Sequence, residues 1–281
     1  MWAYLTVVIF AAAASEGWSV GDRETARAIR SSFVSFFEWF GELGIFCGRL
    51  IRAAIAPPFE ARELIRQMDA IGAKSLPLVA LAGAATGVVL SLQTRDSLVR
   101  FGAKSLLPAV IVFSLIRETG PIITGLVVSG RVGAGIGAEL GSMKVTEQID
   151  AIEASAVNPY KFLVATRVLA CVAMMPLLTL AADFCGILTG WIANTLAEPI
   201  SFRLFVNNGF KNVTFSDFLP ATFKTAVFGW IIGLISCFQG MRTHGGTEGV
   251  GRAATSSAVL SSLFIILADV VLVQLILVFF T

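Results

Sequence analysis

The sequence predicts an all-α integral membrane protein, and three observations support that prediction. Of the 281 residues, 56% are hydrophobic and only 14% are charged, whereas soluble domains carry about 25% charged residues. The mean hydropathy is +0.81, so too few polar side chains are present to cover the chain in water. The apolar residues cluster in five long stretches, and a helix of about 20 apolar residues crosses a bilayer core. We therefore expect one bundle of about five transmembrane helices.

The five apolar stretches occupy most of the chain after its first quarter. They cover residues 76–93, 106–130, 163–196, 218–239 and 259–281. The third stretch is longer than one vertical crossing needs, which predicts that its helix is tilted or extends beyond the membrane. Small residues spaced four apart let helix backbones approach closely in lipid. This spacing occurs at Gly83 and Gly87, Gly186 and Gly190, and Gly229 and Gly233.

The first 74 residues differ in composition from the transmembrane domain expected over residues 75–281. Residues 1–20 are an apolar extension, for which a cleaved signal, an extra membrane-associated helix and an early start codon are the alternatives. Residues 21–74 alternate basic and large aromatic side chains, which predicts a helical region in the membrane interface, interrupted at Pro57 and Pro58. Of the Lys and Arg residues that flank the stretches, thirteen lie on the side of this region and five on the other. That bias predicts a cytoplasmic N-terminal region.

Composition also excludes several classes of function. The net charge is only +2, which does not indicate a nucleic-acid partner. His244 is the only histidine, and Cys47, Cys171, Cys185 and Cys237 lack the spacing of metal or redox motifs. We expect no metal and no cofactor. Sequence motifs of hydrolases and metalloenzymes are absent, so an enzyme remains an alternative only through bare carboxylates.

The connection between the second and third stretches, residues 130–152, has the composition of a functional segment. Its second half predicts a short amphipathic helix that ends before Pro159. Such a helix, held between two spans, suits insertion into a groove on a partner protein, and an ordinary connecting loop is the alternative. The glycines of residues 125–137 lack the Lys and Ser/Thr of a phosphate-binding loop, so ATP hydrolysis would need a separate chain. Expected on the apolar side are Met143, Val145, Ile149 and Ile152, and on the acidic side Glu147, Asp150 and Glu153.

Ionisable residues within the apolar stretches are the next signal. Each costs about 2.5–3.5 kcal/mol at the middle of a membrane helix unless it is paired or hydrated. Neighbouring residues point about 100° apart on a helix, so adjacent charges need partners on other helices. One interpretation is pairing between helices, with snorkelling for Lys224, and the other is a polar cavity that accepts a charged headgroup. The residues are Arg117, Glu118, Asp183, Lys224 and Asp269.

An ordered set of motifs over residues 40–281 resembles the MlaE (YrbE-type) ABC permeases. The resemblance implies an all-α permease of about five transmembrane helices in the bacterial inner membrane, with an N-terminal interfacial helix and a cytoplasmic coupling helix between spans two and three. The motifs are Arg117-Glu118-x-Gly120-Pro121, Gly130-Arg131-x-Gly133, Ala138-Glu139-Leu140-Gly141-x-Met143, Thr146-Glu147-Gln148-Ile149-Asp150 and Gly249-x-Gly251-Arg252-Ala253-Ala254-Thr255.

The same resemblance implies a function and partners. Such permeases are homodimers that bind a cytoplasmic ABC ATPase, an MCE-domain periplasmic protein and often a STAS-domain protein. They move phospholipids or other hydrophobic molecules between the inner membrane and the outer envelope. A proton-coupled secondary transporter, with Glu118 or Asp269 as the proton site, and a membrane-embedded lipid-modifying enzyme are the alternative classes. The absence of inverted repeats weighs weakly against the secondary transporter.

Two sets of site residues follow from the resemblance, and Asp183 belongs to neither. The first set matches polar positions near the lipid cavity of the family: Arg117, Glu118, Lys224 and Asp269. The second set matches the coupling helix that contacts the ATPase: Glu139, Met143, Thr146, Glu147, Gln148, Ile149 and Asp150.

Overall fold

Helices account for all the regular structure in the described part of the chain. A computed structural model describes residues 20–55, 60–196, 198–211 and 215–280. Five of its helices are long and apolar enough to cross a membrane, so the predicted all-α membrane class is confirmed. The predicted apolar extension, apart from Val20, lies outside the described residues. The predicted interruption at Pro57 and Pro58 also lies outside them.

The chain divides into two units, Met1–Gly48 and Arg49–Thr281. Helix α1 spans Val20–Ile55, and its part within the first unit carries exposed aromatic side chains such as Phe37 and Phe40. These side chains suit the predicted interfacial helix, because aromatic rings favour the boundary between lipid and water. The interfacial role and the predicted boundaries at residues 20 and 74 stay predictions.

The second unit holds the five spans. Each span is one helix or a run of helical segments. The spans are Ala61–Arg100, Lys104–Val145, Tyr160–Thr195, Phe218–Met241 and Gly246–Val278. The α-helices are α2 (Ala61–Gly72), α3 (Leu76–Arg100), α4 (Leu107–Ser114), α5 (Gly120–Val128), α6 (Ala134–Val145), α7 (Gln148–Ala154), α8 (Thr166–Thr195), α9 (Phe202–Phe210), α10 (Phe215–Met241) and α11 (Gly246–Phe280). A 3₁₀ turn covers Lys104–Leu106, and π turns cover Leu115–Thr119, Ser129–Gly133 and Tyr160–Ala165.

Close glycine contacts hold the third span between its neighbours. Gly83 and Gly87 on α3 lie directly against the backbone of α8 at Ala182 and Gly186. On α10, Gly229 meets the Cys171 carbonyl of α8 so closely that an added Cβ would lie 2.5 Å from that oxygen. Without a hydrophobic driving force between helices in lipid, such contacts gain their energy from close van der Waals packing. The predicted role of the paired glycines is confirmed for these helices.

The second span extends further than the sequence predicts. Residues 130–145 were expected to begin a connection, but they continue the helix through the Ser129–Gly133 turn and α6. Some of the glycines there serve packing: Gly137 lies against Ser257 of α11, and Gly141 lies against Thr243, whereas an added Cβ at Gly130 or Gly135 would meet no atom within 4 Å. Small residues in this segment therefore reflect close helix contacts, and the prediction of a loop start was wrong. The fifth span likewise begins at Gly246, ahead of the predicted residue 259.

Candidate functional site

The second span changes its helical geometry where its ionisable residues lie. The π turn between α4 and α5, Leu115–Thr119, contains Arg117 and Glu118. In an α-helix the Arg117 carbonyl would accept a hydrogen bond from the backbone nitrogen of residue 121, but Pro121 has no N–H. The proline therefore leaves a carbonyl oxygen that needs a donor from elsewhere in the bundle. Such π turns are frequent at functional sites.

Lys224 on the fourth span supplies that donor. Its Nζ donates a hydrogen bond of 3.2 Å to the Arg117 carbonyl oxygen and one of 2.7 Å to Glu118 Oε2. The same Nζ lies 2.8 Å from Oδ1 of Asp269 on the fifth span, in an ion pair without hydrogen-bond geometry. Lys224 is only 1% exposed, so side chains of three spans meet at one buried ammonium group. We call Glu118, Lys224 and Asp269 the ion cluster.

The ion cluster confirms pairing between helices as one role of these residues. Snorkelling of Lys224 was the wrong interpretation, because its side chain turns inward to carboxylates on the second and fifth spans. Arg117, half-buried on the same π turn, has its guanidinium carbon 5.2 Å from the centre of the Phe113 ring. This distance is within the range of a cation–π interaction.

An apolar cavity of about 620 Å³ lies beside the ion cluster. Lys224 forms part of its wall, together with Pro176 of the third span, Phe223 of the fourth and Leu275 of the fifth. Its volume falls within the about 300–1,000 Å³ that is typical of small-molecule sites. The other lining residues are apolar except Thr222. The accessible lining is almost entirely apolar, so the cavity can hold an apolar chain, and the buried ammonium group of Lys224 lies behind its wall.

Asp183 lies apart from the ion cluster, against the other side of the π turn. It is 6% exposed, and its Oδ1 contacts the α-carbon side of Gly120 so closely that no Cβ would fit there. Oδ1 has no hydrogen-bond partner among the described residues. Three threonines, Thr179, Thr222 and Thr225, line the small cavity into which Asp183 faces. Position 120 must therefore be glycine, because Asp183 occupies the space that a side chain would need. Asp183 does not belong to the expected lipid site.

The residues of the expected coupling helix fall on three different elements. Glu139 and Met143 lie on α6, Thr146 and Glu147 form a turn, and Gln148, Ile149 and Asp150 begin α7. Glu147 has a left-handed backbone, φ 59°, which redirects the chain at this turn. The predicted short helix is present as α7, but it begins later than residue 139. These positions are therefore not one continuous helix.

The two faces of α7 differ as the sequence predicts. Ile149 is 3% exposed and packs inward, so it does not belong to a free outer surface of this chain. Glu147, Asp150 and Glu153 are exposed, and Asp150 accepts a 2.9 Å hydrogen bond from Lys144. The outward face of α7 is therefore acidic, and part of its charge is balanced within the chain.

One buried cation was missed in the sequence. Arg167 on the third span is 2% exposed and donates a 2.8 Å hydrogen bond to Glu139 Oε1, which ties α8 to α6. It also donates to the Leu163 carbonyl oxygen at 2.9 Å. The signal was available, because Arg167 interrupts an apolar stretch in the same way as Arg117. Glu139 thus has a role within this chain in addition to the coupling role that the resemblance implies.

Comparison with known proteins agrees with this geometry. The family model described as Permease MlaE matches residues 64–275, which include the ion cluster, α6 and α7. The chain belongs to the MlaE permease family. A probable ABC transporter permease protein of Rickettsia felis is 36% identical over 250 residues, which cover 89% of this chain and 96% of that protein.

More distant relatives extend to photosynthetic organisms. A probable ABC transporter permease protein of Synechocystis is 31% identical over 243 residues, covering 86% of this chain and 92% of the relative. The chloroplastic protein TRIGALACTOSYLDIACYLGLYCEROL 1 of Arabidopsis thaliana is 31% identical over 239 residues, which cover 85% of this chain and 68% of that protein. The MlaE-family chain is thus a multi-pass membrane permease of the ABC transporter type. Membership in this family favours the permease over the secondary transporter and the lipid-modifying enzyme.

Proposed function

We propose that this MlaE-family permease moves phospholipids or related hydrophobic molecules between the bacterial inner membrane and the outer envelope. The observation that supports this most directly is the apolar cavity of about 620 Å³, whose wall includes one member of the ion cluster, Lys224. A phospholipid combines apolar chains, for which the cavity offers a surface, with a charged headgroup, which suits the guanidinium group of Arg117 on the π turn. The name of the Arabidopsis relative also contains that of a diacylglycerol lipid.

Within this proposal the charged residues have different roles. Lys224 is engaged by two carboxylates and a carbonyl oxygen, so it stabilises the contact of the fourth span with the second and fifth. Arg117 lies on the same π turn with a guanidinium group, which can donate two parallel hydrogen bonds to a phosphate. We assign headgroup binding to Arg117 and the balance of charge to Glu118, Lys224 and Asp269.

Replacing Arg117 tests this assignment. We expect Arg117→Gln to reach the membrane at normal levels, keep its melting temperature and lose co-purified phospholipid, measured by mass spectrometry of lipid extracts. Arg242→Gln is the matched control, because Arg242 also stacks on a phenylalanine, Phe238, at 4.9 Å, but it lies just beyond the end of α10, eighteen positions after Lys224. Normal lipid occupancy in a stable Arg117→Gln protein would show that Arg117 does not bind the headgroup. Equal lipid loss in both variants would point to a general charge effect.

We also propose that α7 and the turn before it dock onto a separate cytoplasmic ABC ATPase. The support is the acidic outer face of a short helix that is held between two spans and flanked by left-handed residues, Glu147 and Ala156. Charge reversal on an exposed face costs the fold little, whereas like charges at an interface cost several kcal/mol. The docking surface therefore can be tested by charge alone.

The most specific variant reverses the charges of Glu147 and Glu153. It leaves Asp150 unchanged, because Asp150 pairs with Lys144 within the chain. We expect Glu147→Lys with Glu153→Lys to lower co-purification of the ATPase and leave the thermal stability of the permease unchanged. Glu60→Lys with Asp69→Lys is the control. Both positions are exposed: Glu60 immediately precedes α2, and Asp69 lies within it. Full ATPase recovery with the α7 variant would reject this docking surface.

The wider assembly is proposed from the family resemblance: a homodimer joined by an MCE-domain periplasmic protein and a STAS-domain protein. Homo-oligomers of membrane proteins are usually symmetric, so one self-complementary surface suffices for the dimer. Single cysteines placed on the membrane-facing sides of the spans, in a background without the four native cysteines, should trap the dimer. A monomer in nanodiscs that transports lipid would contradict the homodimer.

A further inference from the structure

A further pocket, of about 270 Å³ and lined by both polar and apolar residues, lies at the end of the bundle opposite α7. It forms where the first span ends, the second begins and the third ends, and α9 closes one side. Its polar lining includes Arg95, Lys104, Asn194, Glu198 and Asn208. We call these five residues the anion pocket. Lys104 and Glu118 are fourteen positions apart on the second span, so the pocket is roughly 20 Å from the ion cluster at 1.5 Å per residue.

The charges of the anion pocket favour a negatively charged ligand. Glu198 accepts a hydrogen bond from Lys104, and its Oε1 lies 3.7 Å from Nη2 of Arg95. The hydrogen bond from Lys104 lowers the pKa of the Glu198 carboxyl below its ordinary value, so Glu198 is ionised at neutral pH. Two cations then face one carboxylate, which leaves one positive charge unbalanced among these residues.

Asn194 provides an independent sign of a missing ligand atom. The side chain is 2% exposed and lines the pocket, yet its Nδ2 has no hydrogen-bond partner among the described residues. Buried donors are almost always paired, because an unpaired one loses its hydration without compensation. The residues that line the pocket therefore include an ammonium, a guanidinium and an amide group. All three donate hydrogen bonds, and the shared requirement is an anionic oxygen.

The position of the pocket indicates the source of that oxygen. The second span begins at Lys104 and the third ends at Thr195, so the pocket lies at one end of the transmembrane bundle, where the membrane interface is expected. Phe101 and Leu196 lie close by in sequence and are 84% and 85% exposed, which suits contact with lipid at the interface. Phosphate groups of phospholipids lie in this interface.

We propose that the anion pocket binds the phosphate group of an anionic phospholipid from the leaflet at this end of the protein. Arg95 and Lys104 attract the charge, and Asn194 donates to one phosphate oxygen. Glu198 competes for the same cations and so limits the affinity. This site is separate from the ion cluster and does not rest on the proposed transport function.

Photolabelling of the purified full chain tests the proposal. Photoreactive phosphatidylglycerol is added in dodecyl maltoside, which contains no phosphate, and labelled peptides are identified by mass spectrometry. We expect Arg95→Gln with Lys104→Gln to lower labelling of the peptide around Leu196 about tenfold, because two charge-assisted contacts are lost. Labelling of the peptide around Phe223, at the apolar cavity, should not change. That second peptide reports the proposed transport site, so failure of one proposal can be distinguished from failure of the other.

Matched variants make the result decisive. Arg100→Gln with Arg203→Gln removes two exposed cations from the same end but outside the pocket, and should leave labelling within about twofold. Glu198→Gln should increase labelling, because it removes the competing carboxylate. If the double variant is unstable, Asn194→Asp, which places a negative charge in the pocket at the same size, should lower labelling instead.

Three outcomes would overturn the proposal: unchanged labelling in the Arg95/Lys104 variant, equal loss in the Arg100/Arg203 control, or weaker labelling in Glu198→Gln. A parallel arm adds millimolar inorganic phosphate. Displacement of the lipid probe by phosphate at that concentration would assign the pocket to a soluble anion and overturn the lipid source. Persistent labelling would support the headgroup.

Discussion

The ion cluster and the anion pocket contain the same kinds of charge in opposite proportion. In the ion cluster one lysine, Lys224, lies between two carboxylates, and in the anion pocket one carboxylate, Glu198, lies between two cations. Burial separates their lysines: the side chain of Lys224 is 1% exposed and that of Lys104 is 51% exposed, whereas Glu118 and Glu198 are similar at 39% and 45%. A buried charge depends on its partners, and an exposed one can exchange them for water or a ligand.

The largest effect is expected from removing the central cation of the ion cluster. Lys224→Met leaves Glu118 and Asp269 without their shared partner, and breaking a buried pair in this way costs about 3–5 kcal/mol. We expect poor expression and a clearly lowered melting temperature in detergent. Adding Glu118→Gln and Asp269→Asn should restore much of the loss, because no unpaired charge remains. A stable Lys224→Met single variant would contradict the account of the cluster.

A smaller loss is expected from disturbing the packing that holds Lys224 in place. Gly229 is on the same helix, and a Cβ there would lie 2.5 Å from the Cys171 carbonyl oxygen. Gly229→Ala should destabilise the bundle by about 1–3 kcal/mol, as overpacking does, measured by thermal unfolding. Gly135→Ala on α6 is the control, because no neighbouring atom lies within 4 Å of an added Cβ. That change should be neutral or gain up to about 1 kcal/mol through helix propensity.

The exposed counterpart of Lys224→Met is Lys104→Met. It also removes a lysine that hydrogen-bonds to a glutamate, but water solvates Glu198 once the lysine is gone. Exposed ion pairs contribute little to stability, so the melting temperature should match that of the unchanged protein. A decrease similar to that of Lys224→Met would remove the distinction between the two sites.

The smallest effect concerns pH at the exposed site. The hydrogen bond from Lys104 lowers the pKa of Glu198 from its ordinary value of 4.5, with a further lowering by Arg95. A carboxyl with a lowered folded-state pKa adds stability above its unfolded pKa and loses that contribution as the pH falls through the folded value. The Glu198 carboxyl resonance should therefore titrate below pH 4.5, and Lys104→Gln should return its midpoint towards 4.5. A midpoint that does not move would contradict the contact.

The fold was accessible from the sequence because membrane helices depend on local properties. A long apolar stretch must form a helix in lipid, where every backbone N–H and C=O needs a partner within the segment. The paired glycines indicated where helices approach, and Gly83, Gly87 and Gly229 lie at such contacts. The same composition misled at residues 130–137, because glycine is common both in loops and at helix contacts. Only the neighbouring span distinguishes the two.

For the site, the cost of charges in the membrane identified Arg117, Glu118, Asp183, Lys224 and Asp269 from the sequence, and the family resemblance set Asp183 apart from the other four; Arg167 was overlooked. It did not determine their partners. The side chain of Lys224 pairs with Glu118 on the second span and Asp269 on the fifth, both distant in sequence. Which carboxylates it meets depends on how the three helices are placed side by side. Pro121 removes the α-helical hydrogen-bond donor of the Arg117 carbonyl oxygen, which the sequence alone shows. Only tertiary packing brings Lys224 close enough to donate to that oxygen. Pairing energies of buried charges change steeply with distance, so position in the folded bundle decided which charges act together.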